Sequence, residues 1–166
     1  QEERDLINDD REVVIDPDKS VKSLTVVEIL SHKESWGVLL CRFFIEPVWW
    51  FFAAWMPIYL NKEFGLEIAD IAATMWISYL MAAVGSIVGG WFSGLLMRTN
   101  TVNFSRKATI SIGGLLIFIG FVSIILFVKE DFMAFIYLAG LVLFGFQFAI
   151  GNIQTLSSDL FRGPSV

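Results

Sequence analysis

The 166 residues carry a formal net charge of -5 and are 55% hydrophobic and 15% aromatic, with a mean hydropathy of +0.65, a balance that places them among membrane chains. No basic patch offers the electrostatic footprint that nucleic acid needs, so no nucleic-acid partner is expected. Cys41 is the single cysteine and His32 the single histidine, which excludes an intrachain disulfide, a Cys-x-x-Cys redox or metal site, a Ser/His/Asp set and a zinc spacing; no catalytic residue and no metal ligand is assigned.

Residues 1–36 read as a solvated linker. They are acidic, rich in Asp and poor in aromatics up to about residue 23, and they lack the Met, basic n-region and apolar h-region of a signal peptide. Thr25 with Glu28 three residues on then forms a capping-box pattern before a short helix through Leu30 that suits a membrane surface. The chain begins, and ends at Arg162-Gly-Pro-Ser-Val166, as a piece of a longer protein is expected to, with 159–166 as its truncated end.

Four apolar stretches come next, at 38–60, 71–97, 108–128 and 132–158, each long enough as a helix to cross a hydrocarbon core that needs about 20 residues. The first is the unusual one. Arg42 and Glu46 lie one turn apart on one face, either as a structural ion pair near a membrane boundary with Arg42 snorkelling, or as part of a gated polar route. Pro47 and Pro57 predict kinks, and Trp49 and Trp50 fall near mid-membrane, away from the interfacial belt. In the second stretch Ser78, Ala82, Gly85 and Gly89 make a small-residue line, and Gly85-x-x-x-Gly89 and Gly90-x-x-x-Gly94 both suit close helix packing. Tyr79 places a phenol inside the membrane that must satisfy its hydroxyl. The third stretch is bland, with Gly113 and Gly120 on one side marking a contact. The fourth carries Gly140, Phe144, Gln147, Gly151 and Gln154 within roughly 40° of one line at 3.6 residues per turn, with Asn152 just off it. Amides at that depth turn toward protein or a wet cavity.

The connections are short, so sequential helices are antiparallel neighbours. Arg4, Arg11, Lys19, Lys22, Lys33, Arg98, Arg106, Lys107 and Arg162 fall on one side and Lys62 and Lys129 on the other, nine against two, which puts both termini of the segment in the cytoplasm.

The run from Arg42 through Glu46-Pro-Val-Trp-Trp50 to Pro57-Ile-Tyr-Leu60 closely resembles the seventh transmembrane helix of hexuronate transporters, in the anion:cation symporter family of the major facilitator superfamily. Gly85–Arg98 with Ser105-Arg-Lys107, and Gly145–Phe161, look like the same family. The resemblance implies an all-α membrane fold whose four transmembrane helices are helices seven to ten, part of the C-terminal half of a twelve-helix transporter. The acidic lead would be the cytoplasmic loop joining the halves. Ser93 and Gly94 stand where the superfamily's general loop signature has an aspartate, a departure that weakens the case for a charge-relay lock at this loop.

The function that this resemblance implies is secondary active transport of a hexuronate-like sugar acid across a bacterial-type inner membrane, as cation-coupled symport by alternating access, with the site near the midplane between the two halves. Trp50, Tyr79, Gln147 and Asn152 are this half's expected substrate contacts: rings against the apolar side of a pyranose, amides and phenol to its hydroxyls. Arg42 and Glu46 are the candidate gating or ion pair. No cofactor is expected beyond a coupling cation, expected to be H+, and the coupling acid is expected outside this segment. Partners are the lipid bilayer, the organic anion and the missing remainder of the transporter. The alternatives are an organic phosphate or aromatic acid carrier of the same fold, and a non-transporting four-helix membrane subunit.

The charge count yields a direct test. A lone cysteine at Glu67, with Cys41 replaced, should react with an impermeant thiol reagent added to intact cells; labelling only after permeabilisation would reverse the orientation.

Overall fold

The computed structural model describes residues 25–128 and 131–160; most of the expected linker and the expected end from 161 lie outside the described residues. A short helix α1 (Val26–Ser31) precedes four long ones: α2 (Lys33–Phe64), α3 (Ile68–Met97), α4 (Val102–Phe127) and α5 (Phe132–Leu160). These four are long and apolar enough to cross a membrane. At 1.5 Å per residue they are about 39–48 Å long, longer than a hydrocarbon core of about 30 Å. The apolar runs therefore understate the helices, because polar ends such as Lys33–Trp36 and Asn61–Phe64 continue the same backbone pattern into the headgroup zone.

Local chemistry sets the ends. Both the Thr25 backbone N–H and its hydroxyl donate to Glu28 Oε2, at 2.7 and 2.8 Å, and Ser35 Oγ and Trp36 Nε1 donate to the Ile29 and Leu30 carbonyls, tying the elbow between α1 and α2. Gly65 ends α2 in the left-handed conformation at φ 64, where its N–H donates to the Asn61 carbonyl. The Thr101 hydroxyl accepts from Phe104 N–H at the start of α4, and Asp131 Oδ1 accepts from Met133 and Ala134 N–H at the start of α5. Pro47 and Pro57 both sit inside α2, which continues through them as one helix.

The fourth long helix is the hub. Ile136, Ala139, Val142, Leu143, Ala149 and Ile153 of α5 are fully buried, with α3 along one flank and α4 along another. On α3 the small-residue line meets α5 directly: Ser78, Ala82, Gly85 and Gly89 are all buried, and a Cβ at Gly85 or Gly89 would collide with the backbone of Phe144 or Phe148. Ser78 Oγ closes the contact by donating to the Ile136 carbonyl at 2.7 Å. On α4, Gly113 lies so close that a Cβ there would stand 2.7 Å from the Gly145 carbonyl oxygen, and one at Gly120 would press into Val142. Gly90 and Gly94, by contrast, face open space. Of the two glycine pairs on α3, only one makes a helix contact among the described residues.

α2 packs through Ile45, Phe52, Met56 and Leu60, and its other face is rich in exposed rings, including Phe43, Phe44, Phe51 and Trp55.

The two glycine pairs separate packing from composition. Gly85→Leu should destabilise the detergent-solubilised protein by at least the 1–3 kcal/mol typical of overpacking, because the clash is with backbone that cannot rotate away. Gly90→Leu, which adds the same side chain to the same helix where nothing lies within 4 Å, should leave the melting temperature nearly unchanged. Equal losses would mean that the α3–α5 contact is wrongly placed.

Candidate functional site

A cavity of about 310 Å³ opens between α3, α5 and the start of α4. Ser86, Gly90, Ser93 and Gly94 line it from α3, Arg106 from α4, and Gln147, Gly151, Asn152 and Thr155 from α5. Gly90, Gly94 and Gly151, where nothing lies within 4 Å of a Cβ, leave space unfilled beside the contact that Gly85 and Gly89 make with α5. Two amides, three hydroxyls and a guanidinium surround the space, a set able to bind a small hydroxylated anion.

Arg106 is held across the cavity's end: its Nη1 donates to Thr155 Oγ1, and that hydroxyl in turn donates to the Gly151 and Asn152 carbonyls, each at 3.1 Å. Asn152 is only 5% exposed and Ser93 only 4%. The Ser93 Oγ is buried without a hydrogen-bond partner among the described residues.

Of the four expected substrate contacts, the structure brings two together. Gln147 and Asn152 share this cavity, Asn152 joining despite standing off the line of Gln147 and Gly151. Tyr79 lies elsewhere, half-buried on the α2 side of α3, its ring edge-on to Trp49 with centroids 5.9 Å apart. Trp50 is 67% exposed on the outer face of α2 and meets none of the other three. Its neighbour Trp49 takes the inward position, stacked on Phe146 at 5.6 Å. A one-residue step turns a helical side chain by about 100°, and a pair of adjacent tryptophans gives no sign of which one faces in. The line of Gly140, Phe144, Gln147, Gly151 and Gln154 changes character along its length: Gly140 packs on Met81 and Ser78, Gln147 and Gly151 line the cavity, and Gln154 is exposed.

Arg42 and Glu46 form the expected i, i+4 ion pair, with Nη2 to Oε1 at 3.0 Å and both side chains just over one-third exposed. A separate cavity of about 260 Å³, walled by Phe52, Trp55, Met56, Tyr59, Phe121 and Phe135 among others, lacks the polar groups a hydroxylated ligand requires. Among the described residues no group of three His, Cys, Asp or Glu side chains converges as a metal site.

The sequence matches the Major Facilitator Superfamily over residues 5–165. The hexuronate transporter of Escherichia coli (strain K12) is 32% identical over 173 residues, an alignment covering 97% of this chain and 38% of that protein. The galacturonate transporter of Dickeya chrysanthemi is 32% identical over 124 residues, 70% of this chain and 36% of that one. The D-galactonate transporter of Escherichia coli O6:H1 is 35% identical over 91 residues, covering 54% and 21%. The chain thus spans well under half the length of these relatives. No solved structure matches it.

The inward and outward tryptophans make opposite predictions for stability. Trp49→Ala removes a ring packed on Phe146 and Tyr79 and should cost on the order of 3–5 kcal/mol, whereas Trp50→Ala, which removes a ring 67% exposed on this segment, should cost distinctly less. A reversed order in a melting assay would invert the orientation of α2.

Proposed function

The chain belongs to the major facilitator superfamily, is a multi-pass membrane protein, and from that premise we propose that it forms part of a carrier that moves a sugar acid across a bacterial inner membrane. Cation-coupled symport by alternating access, with a proton as the coupling ion and the segment's termini in the cytoplasm, belongs to the same reading. The observation that carries it is the polar cavity within the apolar bundle. Gln147 and Asn152 there present amides that can donate to and accept from the hydroxyls of a sugar, and relatives that align over 97% and 70% of the chain carry hexuronate and galacturonate in their names.

In this reading the described helices are part of the second half of a twelve-helix carrier, and they form one wall of the translocation route. The face of α2 that carries Trp50 is turned toward the remainder of the protein, where that ring and Tyr79 can meet the apolar side of a pyranose. The Arg42–Glu46 pair lies on the same helix as a polar element that can break and re-form as the halves rock. Rings and neutral amides select for the sugar body, and only transport follows from these groups, since none is arranged to do chemistry on it.

Replacing Gln147 by Leu in the full-length protein tests the assignment with galacturonate as probe. A hydrogen bond to the sugar, once lost, should weaken binding by about 1–3 kcal/mol, because a buried partner is stranded. Expression should survive, since the change makes the helix more apolar. If Gln147 only ties helices together, the average interhelical bond in lipid is worth about 0.6 kcal/mol and affinity would hardly move. Wild-type affinity in the variant would remove Gln147 from the site, and absence of any saturable sugar-acid uptake by the intact protein would sink the transport reading itself.

A further inference from the structure

The 6 residues of α1 are too few to hold a helix by themselves, since isolated helices shorter than about 12–15 residues are marginal in water. Local bonds define both its ends. Thr25 and Glu28 close the first turn. At the last turn the carbonyl oxygens of Glu28, Ile29 and Leu30 accept from Ser31 Oγ at 2.6 Å, Ser35 Oγ at 2.6 Å and Trp36 Nε1 at 3.0 Å. The final carbonyls of a helix have no partner inside it and turn to side chains or to water. Here side chains take three of them, so this end of α1 can sit at a depth where water is scarce.

Side chains around α1 separate by polarity. At about 100° per residue, Ile29, Val26, Leu30 and Val27 fall within an arc of roughly 160°, and Ser31, Glu28 and Thr25 take the rest of the circle. On the apolar arc Val26 is 69% exposed, Val27 75% and Leu30 39%. Chain continuity sets the depth of this arc. Lys33 and Glu34 open α2 and no further charge follows until Arg42, which puts the border between headgroups and hydrocarbon near Trp36, a residue type that favours that level. The bond from Trp36 Nε1 to the Leu30 carbonyl then pins the last turn of α1 to the same level. An arc of exposed aliphatic side chains held at the membrane border fits the lipid surface it adjoins. Lying in that surface buries an apolar helix face about 5–10 Å into the boundary of headgroups and acyl chains.

We infer that α1 lies along the plane of the bilayer interface, with Val26, Val27 and Leu30 inserted where headgroups meet acyl chains and Thr25, Glu28 and Ser31 turned to water. The partner is the lipid surface itself. This rests on α2 crossing the membrane and not on any substrate. So short a helix partitions weakly alone, but attachment to α2 makes its insertion an intramolecular event at high effective concentration. Because the elbow bonds Ser35 and Trp36 of α2, a surface-bound α1 fixes the depth and rotation at which α2 enters the hydrocarbon.

The test uses the full-length protein in phospholipid vesicles, with its native cysteines replaced and a nitroxide attached at one introduced cysteine at a time. At Val26→Cys, Val27→Cys and Leu30→Cys, collision with oxygen, which concentrates in lipid, should exceed collision with a water-soluble nickel chelate by about threefold or more. At Ser31→Cys the order should invert. Nickel ahead of oxygen at all four positions would put α1 in water, and low access to both reagents at 26, 27 and 30 would put it against another part of the protein; either result overturns the inference. A fluorophore at Val27→Cys reads the depth: lipids that carry a quencher close to the headgroup should quench it more than lipids that carry one at the chain end, and the reverse order would count against an interfacial position. A last arm keeps the label at position 30. Val26→Glu should raise its nickel access about twofold or more, and Ser31→Gln, on the polar arc, should leave it unchanged. No rise with Val26→Glu, or an equal rise in both variants, would mean that the apolar arc is not what holds α1 at the surface, and would sink the proposal. No residue of α1 is buried, so these substitutions leave the packing of the bundle intact.

Discussion

Backbone-to-backbone contact along α5 is the constraint on which the rest of this bundle depends. In lipid the hydrophobic effect does not drive helices together, so van der Waals contact and a few interhelical hydrogen bonds must do so. Here Gly85 and Gly89 of α3 lie against Phe144 and Phe148, and Gly113 and Gly120 of α4 against Gly145, Ala149 and Val142. Such close approach fixes the rotation of α5 about its axis. Once that rotation is set, Gln147 and Asn152 fall on the space left unfilled beside Gly90 and Gly94.

The sequence carried the helices and much of their packing. Apolar length gave four spans, and the residues Ser78, Ala82, Gly85 and Gly89 marked the face of α3 that is buried; Gly113 and Gly120 did the same for α4. Two failures have definite causes. Gly85-x-x-x-Gly89 and Gly90-x-x-x-Gly94 are the same pattern, and only the three-dimensional course of α5 decides that the first is filled and the second empty. Trp49 and Trp50 are the same residue type one step apart, and the inward choice is made by Phe146 from a helix about a hundred residues later. The contact of Arg106 with Thr155, 49 positions on, leaves no trace in local pattern at all. A partial clue did exist for the cavity: Ser86, Gly90, Ser93 and Met97 recur at helical spacing on one face, and all four line it.

Polar groups are handled differently in different parts of the bundle. Where helices touch, each buried hydroxyl is closed by a carbonyl of its own or a neighbouring helix, as at Ser78 and Thr109. Beside Gly90 and Gly94, Ser93 Oγ has no partner among the described residues, and the amides Gln147 and Asn152 line the same cavity. Packing favours the first arrangement and explains it fully. It gives no benefit to the second, since an alanine at Ser93 would spare the cost of an unmade bond.

α2 shows the same tension between polar groups and lipid. An Arg42–Glu46 pair at 3.0 Å with both side chains about one-third exposed is expensive on a surface that meets hydrocarbon, because each charge alone costs about 2.5–3.5 kcal/mol at the helix centre on insertion scales. Pairing offsets part of that cost and snorkelling another part, yet Glu46 is followed by Pro47, where the helix loses a backbone donor. A charged pair, a missing backbone bond and a ring-rich face on one stretch make a poor lipid surface. They make a workable one if protein or water covers it, which is what the face of a half-carrier turned toward its other half would meet. The outward side of α4, by contrast, carries only apolar side chains such as Leu115, Phe118, Ile119, Val122 and Ile125, a surface that hydrocarbon can meet at no such cost.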